Sequence, residues 1–598
     1  MTNKNENSYI NFTIQCNVSH TLTIKKQTIK SLILITLISL LCIPVKSQNT
    51  IKNYYLSPVK IPIYLSGNFG ELRSNHFHTG IDIKTQGKTG FPVYAVADGY
   101  VYRINISPSG YGLALYINHS NGKSSVYGHL SKLSPRLNKY AKKNQYKQKA
   151  FRVNLFPSKD EFPVKKGDII AYTGDSGSSG GPHLHFEIRN TKTEHPLNPL
   201  FFIPGIKDNI APKIQSIVIY PLSSDSHVSG KILPRQMTAV FYNKTYHIKG
   251  NPVIKVYGEI GIGIKATDYL NGSWNKCGIS ETKLFADDTL VYDLCLSELS
   301  FDKSRYINSY IDYAWYIRHY VRIQKSWKEP GNILDNYKQL KNNGKLSIRD
   351  GKIHQIRYEI KDAYGNTSSL DFCIQSHKIP VTHPASQKIK VAWNQPFSLK
   401  EKGLSADFKK ETFYTDIHIN CREKETLSSK YAPVYELGSK YIPVQNYYQL
   451  SIKPESLPKR LQSKAIIVSV DPSSGRHQSL GGGYSDGLVK TSARRFGYFT
   501  IDADTIPPTI IPLNIKNKKT LINHHRISFK ISDKLSGIKN YTGIIDGQWV
   551  LFEYDLKKHR ITYTFDPERM TFGKTHNISL TASDYKNNVA IYNASFYR

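Results

Sequence analysis

Two short segments of the chain carry histidine and aspartate at even spacings. His78 precedes Asp82 by four residues, and His183 precedes His185 by two. On a β-strand, an even spacing directs two side chains to the same face. Two neighbouring strands could therefore direct two imidazoles and one carboxylate at one point, with a further imidazole beside them. This set predicts a four-coordinate zinc site with one position left for water, which is the arrangement of a catalytic rather than a structural metal.

Turns and short apolar runs surround both segments. The dipeptides Asp98–Gly99 and Asn121–Gly122 are typical of hairpin turns, and they separate runs rich in valine, isoleucine and tyrosine. A basic, helix-compatible segment, 136–149, interrupts this pattern. It could form a wall of a substrate groove, but we favour its interpretation as a solvated insertion. The pattern as a whole predicts an antiparallel sheet domain.

A glycine-rich segment just before His183 contains two patterns associated with serine nucleophiles. Residues 174–177 resemble the nucleophile loop of trypsin-like proteases, and residues 177–181 fit the G-x-S-x-G pattern of α/β-hydrolases. The first lacks an upstream motif for its catalytic histidine, and the second leads into a strand where a helix is required. We therefore interpret these glycines as a turn that shapes the floor of a groove.

Length and composition indicate a mostly β chain with several domains. At 598 residues it is too long for one hydrophobic core, and it is rich in glycine, proline and tyrosine. The segment 209–219 is echoed at 504–513, and an acidic turn at 362–366 is echoed at 584–588. Such echoes predict related β-sandwich units of the immunoglobulin or fibronectin type III kind. We expect a signal peptide at 1–47, the sheet domain with the histidines at 48–205, a β-sandwich domain at 206–378, a β-rich domain at 379–503 and an immunoglobulin-like β-sandwich at 504–598.

The N-terminal segment predicts export. A basic stretch precedes an apolar run, Leu32–Ile43, that is too short to span a bilayer and has the length of a signal-peptide core. Val45 and Ser47 suit the positions before a cleavage site, so we place cleavage after Ser47; an uncleaved anchor and a lipidated Cys42 are the alternatives. No later stretch is apolar enough to cross a membrane. We expect a location in the periplasm, the cell envelope or the cell surface, with no transmembrane helix in the mature chain.

The formal net charge of +35 suggests a polyanionic environment. Cell-wall polymers, a lipid surface and nucleic acid would all attract such a chain. Because export removes nucleic acid as a main partner, we expect no nucleic-acid function.

Three motifs occur in an order that resembles the lysostaphin/LytM-type zinc metallopeptidases, whose members are mostly peptidoglycan endopeptidases. They are His78-x-x-x-Asp82, Tyr127-Gly-His129 and His183-x-His185. The resemblance covers about residues 66–190, and residues 206–598 lie outside it. It extends to flanking elements at Phe69–Gly70, Pro92–Val93, Asp98–Gly99, Lys166–Asp168 and Gly174.

Carried over by position, the resemblance implies a role for each histidine. His78, Asp82 and His185 would be the ligands of one zinc ion, and His129 and His183 the catalytic pair. Zinc with two neutral imidazoles and one carboxylate keeps a net positive charge, which lowers the pKa of a water ligand to about 7. His76 could be mistaken for a ligand, but its spacing to Asp82 is wrong, so we interpret it as a groove residue or a bystander.

The resemblance implies an exported zinc metalloendopeptidase that hydrolyses cross-links or stem peptides of peptidoglycan. Its C-terminal β domains could contact other envelope proteins. A non-cleaving wall-binding, scaffold or activator protein that retains the fold is one alternative, and a peptidase acting on an envelope protein is another. All five site positions are filled, which favours catalysis.

Overall fold

The computed structural model describes residues 54–381, 388–427 and 429–598. The predicted signal peptide, 1–47, lies outside the described residues. The described chain is mostly β, as predicted, and none of its helices is long and apolar enough to cross a membrane. Its α-helices are Pro135–Gln148 (α1), Ile307–Tyr310 (α2) and Tyr313–His319 (α3), and 3₁₀ turns lie at Pro199–Phe201, Ser304–Tyr306, Asn342–Gly344, Lys459–Lys464 and Leu556–Lys558.

The N-terminal sheet domain contains fourteen strands. They are Leu65–Gly67 (β1), Leu72–Arg73 (β2), His76–Phe77 (β3), Ile81–Lys84 (β4), Pro92–Tyr94 (β5), Gly99–Ile106 (β6), Leu113–His119 (β7), Lys123–Leu130 (β8), Lys132–Leu133 (β9), Val153–Leu155 (β10), Pro163–Val164 (β11), Ile169–Tyr172 (β12), His183–Asn190 (β13) and Pro196–Leu197 (β14). A nine-stranded sheet has the order β1-β4-β13-β8-β7-β6-β10, with β11 paired to β6 and β14 to β13. A three-stranded sheet has the order β5-β12-β9, and β2 pairs with β3.

One of the two predicted hairpins forms. Asn121–Gly122 joins β7 to β8, which pair antiparallel. The hairpin predicted at Asp98–Gly99 is wrong, because β5 pairs with β12 and β6 with β7. The Asp98 side chain instead accepts a hydrogen bond from the main-chain N–H of Lys166 at 2.7 Å, and the dipeptide links β5 of the three-stranded sheet to β6 of the nine-stranded sheet.

The remaining strands form β-rich domains, and the predicted domain boundaries stay predictions. Residues 206–378 build one twelve-stranded sheet, and residues 504–598 build a four-stranded and a five-stranded sheet. The strands of residues 206–378 are Lys213–Pro221, His227–Val228, Arg235–Tyr242, Thr245–Ile248, Ile254–Thr267, Glu281–Ala286, Thr289–Cys295, Gln324–Lys325, Tyr337–Leu340, Leu346–Ile348, Ile353–Lys361 and Thr367–Ser376. The strands of residues 379–503 are Ile389–Val391, Phe397–Glu401, Leu404–Phe408, Ile417–Ile419, Cys421–Glu423, Tyr435–Leu437, Tyr448–Ile452, Ala465–Val470, His477–Gly481, Gly483–Ser485, Leu488–Ala493 and Gly497–Ala503. The strands of residues 504–598 are Thr509–Pro512, Lys519–Thr520, Arg526–Ser532, Ile538–Ile545, Gln548–Val550, Glu553–Asp555, Arg560–Thr564, Thr575–Asp584 and Val589–Tyr597.

The N-terminal sheet domain shares hydrophobic core with the domain that follows it. Phe69 and Phe77 are buried in one cluster with the isoleucines, leucines and tyrosines of residues 214–374. The Phe77 ring lies 5.9 Å from that of Tyr310, and its main-chain N–H donates to Oγ of Ser304 at 3.0 Å. This contact anchors the chain directly before His78.

Helix α1 packs against the C-terminal domain, residues 504–598. Its first residue is Pro135, whose fixed φ suits the first turn of a helix. Nζ of Lys142 lies 2.8 Å from Oδ2 of Asp566, and the Tyr146 ring packs edge-on against Trp549 at 5.3 Å. The helix-compatible segment is therefore a helix at a domain contact, and our interpretation of it as a solvated insertion is wrong.

Candidate active site

The structure brings the three predicted metal ligands together. Strands β4 and β13 are antiparallel neighbours, and Asp82 stands opposite His185. Nε2 of His78 lies 3.1 Å from Oδ1 of Asp82 and 3.1 Å from Nδ1 of His185. Nδ1 of His185 lies 2.9 Å from the same Asp82 oxygen. All three side chains are buried, so three ligand atoms converge at one protected point.

His78 reaches this point from outside the strands. β3 ends at Phe77 and β4 begins at Ile81, so the same-face argument from spacing does not apply to His78. The intervening chain passes close to β13, because a Cβ at Gly80 would meet the Phe186 carbonyl oxygen at 2.3 Å. His76 is exposed and its Nδ1 lies 2.9 Å from the Ser74 carbonyl oxygen, which places it outside the cluster.

The donor set fits a cation. Nδ1 of His78 donates to the Asn68 carbonyl oxygen at 2.7 Å, and Nε2 of His185 donates to Oε1 of Glu187 at 2.8 Å. In neutral imidazoles these bonds leave a lone pair on the other nitrogen of each ring. Two lone pairs and a carboxylate oxygen then face one another at 2.9–3.1 Å, an arrangement that a divalent ion satisfies.

Burial and the neighbouring charges set the protonation of the three groups. Burial lowers the pKa of His78 to about 4, although Asp82 opposes this effect. Burial would raise the pKa of Asp82, but His78, His183 and His185 hold it well below its usual range. Burial also lowers the pKa of His185, but its bonds to Asp82 and Glu187 outweigh burial and raise the value to about 9. A metal ion held at this point would have to displace the proton of His185.

The two further histidines stand beside the cluster with their rings 4.7 Å apart. His129, in β8, has a left-handed backbone (φ 58°), and its Nδ1 donates to the Ser176 carbonyl oxygen at 2.8 Å. His183 begins β13, and its Nδ1 lies 2.8 Å from the Gly181 carbonyl oxygen. Burial, then His185 and His183, lower the pKa of His129 to about 3, so this ring is neutral near pH 7. Both rings are held by the glycine-rich segment 174–181.

A cavity of about 450 Å³ opens beside these groups. The glycine-rich segment lines one side of it, as predicted, and Lys84 and Arg73 add positive charge. Nη2 of Arg73 lies 2.5 Å from Oδ2 of Asp82 and 3.3 Å from Oε2 of Glu71. The lining residues are Ser66, Arg73, Asp82, Lys84, Thr85, Gln86, Gly87, His129, Ser178, Ser179, Gly180, Gly181, Pro182 and His183.

Sequence reasoning missed the buried network behind His185. Oε1 of Glu187 accepts hydrogen bonds from His185, Thr79 and Tyr111, and Oε2 accepts one from Nε of Arg189 at 2.6 Å. Glu187 and Arg189 follow His185 at steps of two along β13, so the same periodicity that paired the histidines could have identified them.

Sequence reasoning also missed two supports that come from distant domains. The Asn68 side chain pairs with the main chain of Gly278, with Nδ2 donating at 2.8 Å and Oδ1 accepting at 2.7 Å. Nζ of Lys557 donates to the carbonyl oxygens of Asp175 (2.6 Å) and Ser179 (3.1 Å) and to Oδ1 of Asp175 (2.9 Å). Neither contact has a local signal in the sequence.

Comparison with known proteins supports the motif-based resemblance. Residues 76–147 and 139–199 match the model of Peptidase family M23, and residues 387–504 match that of a Zu5-like domain. Over 129 residues the chain is 36% identical to the DD-carboxypeptidase/endopeptidase Mpg of Neisseria meningitidis, covering 22% of this chain and 23% of that protein. Over 111 residues it is 33% identical to the peptidoglycan DD-endopeptidase ShyB of Vibrio cholerae, covering 19% and 20%.

A solved zinc-containing peptidase from Vibrio cholerae is 28% identical, with a TM-score of 0.18, and the match covers 24% of this chain and 37% of that one. The chain thus spans less than a quarter of the length of the two curated relatives. Within that span, the resemblance to a metallopeptidase of the M23 type is confirmed.

Proposed function

We propose that this chain is an exported zinc metalloendopeptidase that hydrolyses peptide bonds of peptidoglycan. The observation that carries the proposal is the buried convergence of His78, Asp82 and His185, with two further imidazoles beside it. The name of one relative, a DD-carboxypeptidase/endopeptidase, supports peptide-bond hydrolysis. The name of the other, a peptidoglycan DD-endopeptidase, supports peptidoglycan as the substrate class.

The three metal-binding residues and the two further histidines would have separate roles in the reaction. A zinc ion held by His78, Asp82 and His185 would polarise a carbonyl group and lower the pKa of a water ligand to about 7. The rings of His129 and His183 are both anchored through Nδ1. Nε2 of His183 lies 3.4 Å from Oδ1 of Asp82, at the edge of the ligand cluster where the substrate carbonyl would bind. One of the two rings accepts the proton of the attacking water at Nε2 and returns it to the leaving amine, while the other, in its protonated form, donates a hydrogen bond from Nε2 to the oxyanion.

The positive charge of the chain supports retention on anionic envelope polymers. Lys84 lines the cavity itself, where it suits a substrate that carries a carboxylate, whereas Arg73 is already paired with Asp82 and Glu71. Because exposed charges are screened by salt, binding to purified wall sacculi should weaken at high ionic strength. Binding that is unchanged at high salt would contradict this part of the proposal.

The decisive experiment is digestion of purified peptidoglycan by the mature chain, with and without a chelator, followed by mass spectrometry of the released fragments. New peptide termini that vanish with the chelator would support a metalloendopeptidase and identify the bond. A zinc-loaded chain that releases nothing would overturn the proposal and favour a wall-binding or scaffold role.

Two variants test the assignment of roles within the site. His185→Ala should lose both zinc and activity, because it removes a ligand. His183→Ala should keep its zinc and lose turnover, because it removes a proton carrier. Zinc content measured on both purified variants checks this difference, and equal zinc loss would mean that the two roles are misassigned.

A further inference from the structure

Three aspartates from separate segments meet in the domain of residues 206–378. Asp208 lies in the segment that leaves the N-terminal sheet domain, Asp268 follows the strand Ile254–Thr267, and Asp362 follows Ile353–Lys361. Each offers a carboxylate oxygen within 4.8 Å of the other two. The cluster thus joins three parts of the chain that are far apart in sequence.

No charge of the described chain balances these carboxylates. Among the described residues, no lysine, arginine or histidine forms an ion pair with Asp208, Asp268 or Asp362. Asp268 is only 2% exposed, and no described residue donates a hydrogen bond to its Oδ1. A buried carboxylate oxygen without a donor is costly, and two carboxylates beside it add to that cost.

The protonation of the cluster is consistent with a missing positive charge. Burial and then the charges of Asp208 and Asp362 raise the pKa of Asp268 to about 8. Burial raises the pKa of Asp208 to about 6, and Asp362 acts in the same direction. By themselves, the three groups would therefore hold a proton near neutral pH, whereas a divalent cation would replace that proton.

A second cluster of the same construction provides an internal comparison. Asp504, Asp533 and Asp584 meet in the C-terminal domain. The acidic turns correspond: Nδ2 of Asn366 donates to Oδ2 of Asp362 at 2.6 Å, and Nδ2 of Asn588 donates to Oδ2 of Asp584 at 2.7 Å.

The two clusters differ at the position two residues after the aspartate of the acidic turn, which is Asp362 in the first cluster and Asp584 in the second. Lys586 stands there in the C-terminal turn, and Tyr364 stands there in the first. Lys586 is buried, which lowers its pKa, while the charges of Asp504 and Asp584 act to raise it. Nζ of Lys586 donates to the Gly482 carbonyl oxygen at 2.8 Å, so this lysine adds a positive charge near the C-terminal cluster without a direct ion pair to its described aspartates. The first cluster has a tyrosine in its place.

We propose that Asp208, Asp268 and Asp362 bind one calcium ion. Calcium takes six to eight oxygen ligands, combining carboxylates with main-chain carbonyls and water, and this suits a carboxylate cluster with one unpaired oxygen. The site lies outside the candidate zinc centre and does not depend on the proposed peptidase activity.

The ion would steady a loop that supports the zinc centre. Residues 268–278 begin at the cluster and end at Gly278, which pairs with the Asn68 side chain. The Asn68 carbonyl oxygen in turn accepts the hydrogen bond from Nδ1 of His78. The cation therefore fixes one end of a loop whose other end positions a zinc ligand.

The test is equilibrium dialysis of the full mature chain against CaCl₂, with metal content measured by atomic emission. The wild-type chain should retain about one Ca²⁺, and Asp268→Asn should retain none. Asp533→Asn, the matched change in the C-terminal cluster, should retain as much Ca²⁺ as the wild type.

Thermal unfolding separates loss of the ion from loss of the fold. Without calcium, Asp268 is largely protonated near neutral pH, and asparagine is a neutral group of the same shape, so the Tm of Asp268→Asn in calcium-free buffer should stay close to that of the wild type. Added CaCl₂ should raise the Tm of the wild type and of Asp533→Asn but not that of Asp268→Asn. A wild-type chain that retains no Ca²⁺ would overturn the proposal in favour of a proton-sharing cluster, and unchanged Ca²⁺ retention by Asp268→Asn would place any ion elsewhere.

Discussion

Replacement of Glu187 by glutamine tests whether a buried carboxylate holds the candidate zinc ligand His185 in place. Glu187 is fully buried, and its two oxygens accept four hydrogen bonds. Three of the donors, including Nε2 of His185, bind Oε1, and Nε of Arg189 binds Oε2. A carboxylate that receives the second N–H of a metal-ligating histidine fixes the orientation of the ring and raises its basicity.

Glutamine keeps the shape of the side chain but turns one acceptor into a donor. If its NH₂ faces Arg189, two donors oppose each other; if it faces His185, three donors lose their acceptor. Loss of a partner by a buried charged group costs about 3–5 kcal/mol. Because Nη1 of Arg189 keeps Oε2 of Glu194 at 3.2 Å, we expect the low end, about 3 kcal/mol of unfolding free energy. Zinc affinity should fall about 10–100-fold.

Two measurements check these magnitudes: competition for zinc with a chelator of known affinity, and urea unfolding of the zinc-free chain. Glu194→Gln is the matched control, because Glu194 bonds to the same arginine from a partly exposed position. It should change the unfolding free energy by less than about 1 kcal/mol and leave zinc affinity unchanged. Wild-type zinc affinity and stability in Glu187→Gln would refute the idea that this carboxylate supports His185.

Three further changes probe the contacts around the site. Lys557→Ala should lower kcat about fivefold at unchanged zinc content, because it removes about 1 kcal/mol of support from the loop that holds the two proposed catalytic histidines. Lys558→Ala should leave kcat unchanged, and equal kcat values for the two variants would contradict this role. Phe77→Ala should cost about 3–5 kcal/mol of unfolding free energy, while Phe156→Ala, at an exposed position, should cost less than about 0.5, as measured in urea. His129 has its pKa lowered to about 3, so as pH falls below about 6.5 the unfolded chain binds the proton first and stability is lost. Between about pH 7 and about pH 5 the zinc-free wild type should therefore lose about 2 kcal/mol more than His129→Gln, and equal losses would refute this effect.

Local sequence patterns predicted much of the site. In β13 a period of two places His183, His185, Glu187 and Arg189 on one face, and the strand occurs where the pattern places it. The mostly β character and the hairpin at Asn121–Gly122 also follow from local preferences, because strand and turn propensities depend on residues close in sequence.

The same local rules failed where the chain was held by distant groups. His78 lies outside any strand, in a segment between β3 and β4 that passes close to β13 beside the side-chain-free Gly80. Asp98–Gly99 has the composition of a hairpin turn, yet the Asp98 side chain bonds to Lys166 and the flanking strands pair elsewhere.

The sequence by itself determined which side chains could bind a metal and, in β13, which of them share a face, because periodicity encodes side-chain direction. Only the tertiary structure decided what holds those side chains in place. Asn68 meets Gly278 across 210 positions, and Lys557 meets Asp175 across 382. Such contacts arise from the packing of whole domains, and a pairing at that separation has no periodic or compositional signal in either segment.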